Sequence, residues 1–355
     1  MTAPQLSIIV PTLNEAENLP WLLKDLAAQQ GVRFEVLISD GGSEDLTCSL
    51  ATRFLVESNI PHRVFSGPAG RGRQMNLATA AARADWLLFL HADCRIYDSS
   101  LLRKGLELLS QACPKEGICR VAGHFCLRFD LAEDQRKLGY YFYEAKARLH
   151  EAGCTHGDQG FLLSKEFFAE VGPYRQDLPV MEDTALAEVI RSAGSWLLLP
   201  FEIFTSARRF QVEGLVERQT LNALLMNFLF IGWEDFLRHA PAIYRQQSGA
   251  EHLNLEPFRR EIVRLLRTLP LNRRYQLWYA TGGYVRSQAW QLVFLREVRD
   301  RFRSGDPVSA VSARKTRRFN QWYQMLTNNF VGNAIAALLT WSWFALKFGR
   351  GRARS

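Results

Sequence analysis

Three apolar runs in the first hundred residues each stop on carboxylates or amides, and this recurrence constrains the chain more than any other feature. The first lies in LSIIVPTLNEAENLP (Leu6 to Pro20) and the second in VLISDGGSED (Val36 to Asp45). The third closes GRGRQMNLATAAARADWLLFLHADC, which runs from Gly70 to Cys94. Short runs rich in β-branched and aromatic residues, bounded by turn formers, read as strands. Strands alternating with helix-period segments predict a mostly parallel sheet flanked by helices. Open sheets of this kind bind ligands in the crevice at the carboxyl ends of their strands. Acids brought to that edge suit a metal ion, a diphosphate and a polar heterocycle.

The pattern predicts strands at Ser7–Val10, Glu35–Ser39, His62–Phe65 and Trp86–Leu90. Helices are expected over Asn14–Gln30, with Leu19, Leu22, Leu23 and Leu26 on one face, from about Glu44, and over Met75–Arg83. Arg120–Phe129 alternates as a mixed or antiparallel strand does; Phe161–Val171, Thr184–Ala193 and Trp196–Pro200 complete the layer. After Trp233 the texture turns helical, over Pro257–Leu269, Tyr284–Phe302 and Phe319–Leu346, with Ser304–Ala313 as a linker. The expected division is an α/β domain over 1–235 and a basic helical extension over 236–355.

A hydrophobic fraction of 47% and a charged fraction of 23% belong to a folded globular protein, not a disordered one. The net charge of +8 conceals a split: residues 1–235 carry net −7 and residues 236–355 net +15. Such asymmetry marks a segment that meets something anionic. Six cysteines without C-x-x-C or metal spacing read as buried or free thiols in a reducing compartment. The first apolar run is short, lacks a basic leader and opens a strand, so a cytoplasmic protein is expected.

Each candidate segment has a chemical and a structural interpretation. Pro11, Thr12, Asn14 and Glu15 end the first strand, where polar groups can hold a nucleobase and ribose. Asp40 ends the second and can accept from a uracil-like N–H or a hydroxyl, but Asp40-Gly41-Gly42-Ser43 reads equally as a strand-to-helix turn with a cap. Gly70 to Asn76 lacks the third glycine of a dinucleotide fingerprint. Arg71 and Arg73, opening a helix, instead suit an anionic diphosphate; a solvated helix start is the plainer alternative. Gly157-Asp158-Gln159-Gly160 is a candidate acceptor-side loop through Asp158 and Gln159. Met181-Glu182-Asp183 opens a helix, where acids also favour the N-terminal dipole.

In that order, IVPTLNEAENLP, DGGSED, GRGRQMN, LLFLHAD, GDQG and MED resemble the family 2 glycosyltransferases of the GT-A fold, over residues 5 to about 235. Within the family they look like a small bacterial subfamily found beside radical-SAM, selenium and arsenosugar-associated genes. The resemblance implies transfer of a sugar, with inversion, from a nucleoside diphosphate donor such as a UDP- or GDP-sugar to a hydroxyl acceptor. It assigns donor contacts to Pro11, Thr12, Asn14, Glu15, Asp40, Arg71, Arg73, Ala92 and Asp93, and the general base to Asp183 with Glu182 beside it. His91-Ala92-Asp93 occupies the place of the D-x-D element, so Asp93 is expected to hold a divalent cation, Mn2+ or Mg2+. His91 departs from that pattern, and imidazole suits manganese better than magnesium. Arg208 and Arg209 stand where processive relatives carry a Q-x-x-R-W element; the glutamine and tryptophan are absent, and the arginines are expected at most to assist the departing diphosphate. Two rivals stay open: a nucleotidyltransferase, which would need a glycine-rich turn where PTLNEAE stands, and a non-catalytic, membrane-docked sugar-nucleotide-binding protein.

Three readings compete for the basic extension. With Trp278, Trp290, Trp322, Trp341 and Trp343 it can lie on an anionic membrane surface, peripheral on the inner face of the cell membrane. Phe330–Leu346, 17 residues without a charge, can instead span the bilayer, or the helices can form a packed subdomain. No recognised motif accompanies the charge, so nucleic acid is not the expected partner.

Overall fold

The structure is a computed structural model that describes residues 3–247, 249 and 251–349, with the side chains of 347–349 left aside. It divides into two compact units: residues 1–136 with 146–207, and residues 137–145 with 208–355.

The first unit is a mixed α/β sheet flanked by helices, as expected of the GT-A class. Its strands are β1 (Leu6–Thr12), β2 (Phe34–Asp40), β3 (His62–Ser66), β4 (Trp86–Phe89), β5 (Cys94–Arg95), β6 (Val121–Asp130), β7 (Phe161–Ser164) and β8 (Ser195–Ser206). They lie in the order β3-β2-β1-β4-β7-β6-β8-β5. The first four pair in parallel; β7 runs antiparallel to both β4 and β6, while β6 and β8 pair in parallel. Between the strands run α1 (Leu19–Ala27), α2 (Thr47–Glu57), α3 (Arg71–Ala80), α4 (Leu101–Ala112), α6 (Lys165–Val171) and α7 (Glu182–Ala193).

Strand periodicity explains why both sheet faces are dry. Leu6, Ile8 and Val10 of β1 enter one core cluster with Val36, Ile38, Leu22 and Leu26, whereas Ile9 joins Leu37, Met75 and Phe161 in the other. Successive side chains of a strand point to opposite faces, so a continuous apolar run is what a doubly covered strand requires. At the end of the strands away from the acids, buried Glu35 accepts from Ser7 Oγ at 2.7 Å and from the Arg83 backbone N–H and Nε, each at 2.7 Å. These bonds, with the Arg83 charge, outweigh burial and hold its carboxyl below the usual range.

Two differences from the sequence reading have plain causes. The first helix starts at Leu19 rather than Asn14, because Asn14 takes a left-handed φ of 55° and the following residues form turns. Phe161–Val171 breaks into β7 and α6 at Ser164, whose side chain caps the helix by accepting from Phe167 N. The cysteine expectation is corrected as well. Cys113 and Cys119 form a disulfide with Cα atoms 5.0 Å apart, closing the turn after α4, while Cys48, Cys94, Cys126 and Cys154 are free.

The second unit is helical from Arg208 onward, earlier than the change of texture at Trp233 suggests. It contains α5 (Leu138–Lys146, its last residue assigned to the first unit), α8 (Arg208–Glu213), α9 (Leu215–Phe230), α10 (Glu234–Arg245), α11 (Glu256–Thr268), α12 (Leu271–Ser287), α13 (Trp290–Arg303), α14 (Arg314–Thr327) and α15 (Phe330–Gly349). The single helix expected over Tyr284–Phe302 breaks after Ser287, and that over Phe319–Leu346 breaks after Thr327. At the second break, buried Arg286 donates to Gln324 Oε1 (2.6 Å), Asn333 Oδ1 (2.7 Å), Asn328 Oδ1 (2.8 Å) and Thr327 Oγ1 (3.2 Å). Gly282 of α12 lets α15 approach closely: a Cβ there would stand 2.4 Å from Ala337 N and 2.5 Å from Asn333 O. Among the described residues no single helix is long and apolar enough to cross a membrane; α14 and the apolar part of α15 pass that test only as a pair bent by 105°. The basic residues Arg350, Arg352 and Arg354 beyond α15 lie outside the described residues.

Candidate active site

The parallel register places Thr12 opposite Asp40, so the first two acid-bearing turns meet at one edge. Asp40 accepts four hydrogen bonds: from Thr12 Oγ1 (2.9 Å), Gly42 N (2.9 Å), Ser43 N (2.8 Å) and Ser43 Oγ (2.5 Å). A carboxylate has about four acceptor positions, so Asp40 is occupied in shaping its own loop. Burial works against its charge, but these bonds hold its pKa low. Asn14 bridges the same two loops, donating from its N–H to Ser43 Oγ (2.8 Å) and accepting at Oδ1 from Glu44 N (2.9 Å). The Glu15 N–H donates to Thr47 Oγ1 (2.8 Å), and its Oε2 accepts from Asn18 (2.7 Å). Pro11 is buried within β1.

Helix α3 is tied to these strand ends by a residue that sequence reasoning passed over. Buried Gln74 donates through Nε2 to Thr12 O (2.8 Å) and Ser39 O (2.7 Å). A buried amide inside a helix of strong formers was the available signal. The anchored first turn carries Arg71, whose Nε meets Glu182 Oε1 at 2.7 Å. The Arg71 side chain is 41% exposed, whereas Glu182 is 1% exposed. Glu182 raises the Arg71 pKa most, with further help from Asp183 and Asp93. Burial pushes the Glu182 carboxyl up, and Arg71 opposes it only in part. Arg73, in the same turn, is exposed and makes no ion pair among the described residues.

Met181, at a left-handed φ of 64°, turns the chain so that Glu182 and Asp183 open α7. Asp183 accepts from Gly157 N (2.8 Å) and Thr184 N (2.7 Å). Gly157 is the second missed residue. A Cβ there would lie 2.8 Å from His91 Nε2 and 2.9 Å from Asp183 Oδ2, so only a glycine lets the imidazole and the carboxylate flank the same backbone. His156, beside it, places Nδ1 2.9 Å from Thr184 Oγ1, and burial lowers its pKa to about 4.

The two aspartates of this cluster are pushed apart. Burial would raise Asp183, but Arg71, then His156, His91 and the Gly157 N–H outweigh it and hold Asp183 at about 2. Since His156 is neutral at pH 7, Arg71 is the main cation sustaining that charge there. Asp158 goes the other way: burial first, then Asp183 and Asp93, raise it to about 7, and its enclosed Oδ1 has no hydrogen-bond partner. Asp93 and Asp158 are half-buried as whole residues, with Ala92 buried between His91 and Asp93. Gln159, by contrast, is fully buried and donates to Cys154 O (2.9 Å), which makes it a loop brace. Arg208 and Arg209 open α8 in the second unit.

Among the described residues no three His, Cys, Asp or Glu side chains form a ready metal cluster. A hard cation that takes one or two carboxylates and completes its shell with phosphate oxygens and water needs no such cluster. Asp93 and the unpartnered Asp158 oxygen fit that donor set.

The family model "Glycosyl transferase family 2" matches residues 7–172, which include Asp40, Arg71, Asp93 and Asp158. A PGL/p-HBAD biosynthesis glycosyltransferase of Mycobacterium bovis is 38% identical over 186 residues, 52% of this chain and 68% of that protein. Glycosyltransferase AglE of Haloferax volcanii is 30% identical over 112 residues, covering 31% of this chain and 36% of AglE. Among solved structures, the mannosyltransferase PcManGT from Pyrobaculum calidifontis, in complex with GDP-Man and Mn2+, superposes with a TM-score of 0.49 at 17% identity, covering 97% of this chain and 88% of that one. The extent of the mycobacterial match sets aside the nucleotidyltransferase and non-catalytic alternatives: this chain belongs to glycosyltransferase family 2 and is a glycosyltransferase.

Proposed function

We propose that this enzyme moves a sugar, with inversion, from a nucleoside diphosphate donor (a UDP- or GDP-sugar) to a hydroxyl acceptor, and that residues 1–235 contain the catalytic domain. The observation that carries this reading is Arg71, paired with Glu182 and electrostatically coupled to Asp183 and Asp93. A guanidinium opening a helix, with nearly half its side chain exposed, suits a diphosphate. Asp183 takes the proton as the acceptor oxygen forms its bond to the anomeric carbon and the bond to the diphosphate breaks. At about 2 it is a weak base in the free enzyme. A diphosphate that draws Arg71 away removes its main support at neutral pH, so donor binding raises the basicity of Asp183 when the acceptor needs it.

Asp93, with Asp158, would hold a divalent cation, Mn2+ or Mg2+, which when bound neutralises charge on the leaving diphosphate. Thr12, Asn14 and Glu15 lie on the loops offered to the nucleoside, and Asp40 keeps those loops in shape. Calorimetry with UDP- and GDP-sugars, with and without manganese, tests the donor assignment; failure of both classes to bind sinks it. The anomeric configuration of the product, read by proton NMR, tests inversion.

The second unit is proposed to rest on an anionic membrane surface. Trp322, Met325, Phe330, Ile335, Leu338 and Trp341 are exposed on α14 and α15, and Arg314, Lys315, Arg317 and Arg318 fill the first turns of α14. Full-length protein should float with phosphatidylglycerol vesicles and be released by salt, while a chain lacking residues 314–355 should not float. Full-length protein that stays unbound at low salt overturns this placement.

A further inference from the structure

The second unit contains a cavity of about 390 Å3 between α9, α11, α12 and α15. Its walls are apolar: Ile262, Leu277 and Trp278 line it, and Leu339 and Trp343 of α15 stand at its exposed side, 65% and 42% exposed. Leu339 and Trp343 are exposed on α15 alongside Ile335, Leu338 and Trp341 of the surface proposed to meet the membrane, so the cavity opens beside that surface. An apolar cavity of about 150 Å3 takes a benzene molecule; by volume this one takes on the order of 15 carbons.

One polar feature interrupts the lining. Asn227 of α9 is 6% exposed and donates through Nδ2 to Thr281 Oγ1 at 3.3 Å, while its Oδ1 is buried without a partner. Swapping the two amide atoms would leave the other one unpaired instead. The hydroxyls of Thr220 and Thr340 are already spent on their own helices, on Val216 O (2.7 Å) and Ala336 O (2.8 Å). A buried amide oxygen without a donor is costly to leave unmade, and sites of this composition use a few polar groups to fix the orientation of an apolar ligand.

We infer that this cavity binds a single aliphatic chain bearing one hydroxyl, as in a membrane amphiphile, with the chain along Trp278 and Trp343 and the hydroxyl donating to Asn227. The inference rests on the interfacial placement of the second unit for the source of its ligand, but its binding chemistry is testable in solution without vesicles. The probe is 11-bromoundecan-1-ol, whose bromine quenches nearby tryptophan, compared with 1-bromoundecane, which lacks the hydroxyl. Full-length protein should show saturable quenching, with the alcohol at least tenfold tighter than the bromoalkane. Ala223→Phe, which fills the wall from α9, should weaken both at least tenfold; Leu224→Phe serves if the first variant does not fold. Asn227→Leu should bring the two affinities within threefold of each other. Trp278→Phe combined with Trp343→Phe should remove the quenching. Quenching that does not saturate, that survives the double tryptophan change, or that is equal in a folded Ala223→Phe protein overturns the inference, as does equal affinity for the two probes in the unsubstituted chain. Vesicle flotation of the same proteins separates the two ideas: loss of flotation alone defeats the interfacial placement, and loss of quenching alone defeats the cavity.

Discussion

Asp183→Asn removes the carboxylate proposed to take the acceptor proton and keeps a side chain of nearly the same size. Asp183 sits at about 2, so at pH 7 it is fully ionised, and the substitution deletes a whole charge. A positioned general base contributes roughly 10²- to 10⁴-fold in rate, which is about 2.7–5.4 kcal/mol of barrier. Donor affinity should change little by comparison, because Arg71 keeps its 2.7 Å pairing with Glu182 and remains available to a diphosphate. One field effect is specific to this geometry. Asp183 is the largest electrostatic contributor that raises Asp158, after burial itself, so in the variant Asp158 should fall from about 7. The assay is nucleoside diphosphate release at saturating donor from pH 5 to 9, with donor Kd from calorimetry in the same buffers. Turnover should drop at least a hundredfold with Kd within about fivefold, a split expected when an interaction made only in the transition state is lost. Turnover within threefold of the parent, together with collapse in Asp158→Asn, would refute the reasoning and pass the base role to Asp158.

The remaining expectations concern stability as much as rate. Asp158→Asn should stabilise the free enzyme at pH 8 in chelator, because an acid raised from 3.8 to about 7 costs stability once pH exceeds 3.8, and the full cost is reached above 7. At about 1.36 kcal/mol per pH unit the gain is at most about 4 kcal/mol, and it should vanish near pH 4; thermal melts with no gain at pH 8 would contradict it. Gly157→Ala should cut turnover more than tenfold while shifting Tm by only a few degrees, since its Cβ meets His91 and Asp183 rather than the core; full activity would mean that the two need not share that backbone. Gly282→Val should disrupt the second unit, because a Cβ 2.4 Å from Ala337 N meets backbone that cannot turn aside; an unchanged helical melt by circular dichroism would dispose of that close approach. The Glu35 network, with its lowered carboxyl, supplies stability present above about pH 4.5 and lost as pH falls through its folded pKa. Replacing Glu35 by Gln should therefore flatten the acid limb of a urea midpoint against pH curve between pH 5 and 3.

The fold was legible because strand burial on both faces forces long apolar runs: β4 carries one without interruption, and β1 and β2 carry Ile8–Val10 and Val36–Ile38. Helix ends were less legible, since they depend on single backbone conformations. Asn14 at positive φ and the Ser164 cap leave no imprint on apolar period, and the bend after Thr327 falls between a basic helix and an apolar one with no glycine or proline between them to mark it.

Within the site, the residues that announce themselves by type were found at the acid-bearing edge: Arg71, Asp93, Asp158, Glu182 and Asp183. Those that bring them together were not, because their contribution is tertiary. Gln74 matters for two carbonyls more than thirty residues away, and Gly157 for a space shared by His91 and Asp183, which stand far apart in the chain. The chemical role of an acid is likewise set by its neighbours. Asp40 stands at the strand end expected of a donor contact and there accepts from Thr12 of β1 and from Gly42 and Ser43 of its own turn. Asp158 and Asp183 carry the same carboxyl, yet burial with the charges of Asp183 and Asp93 drives Asp158 to about 7, while Arg71 and its neighbours hold Asp183 at about 2. Carboxyls whose environments push them apart are the ones to which separate roles can be assigned. On the proposed reading, Arg71, the group that does most to lower Asp183, is the residue whose displacement would couple donor binding to proton transfer. If Arg71→Met leaves the pH dependence of turnover unchanged while weakening the donor, the coupling is absent and Arg71 is a binding residue alone.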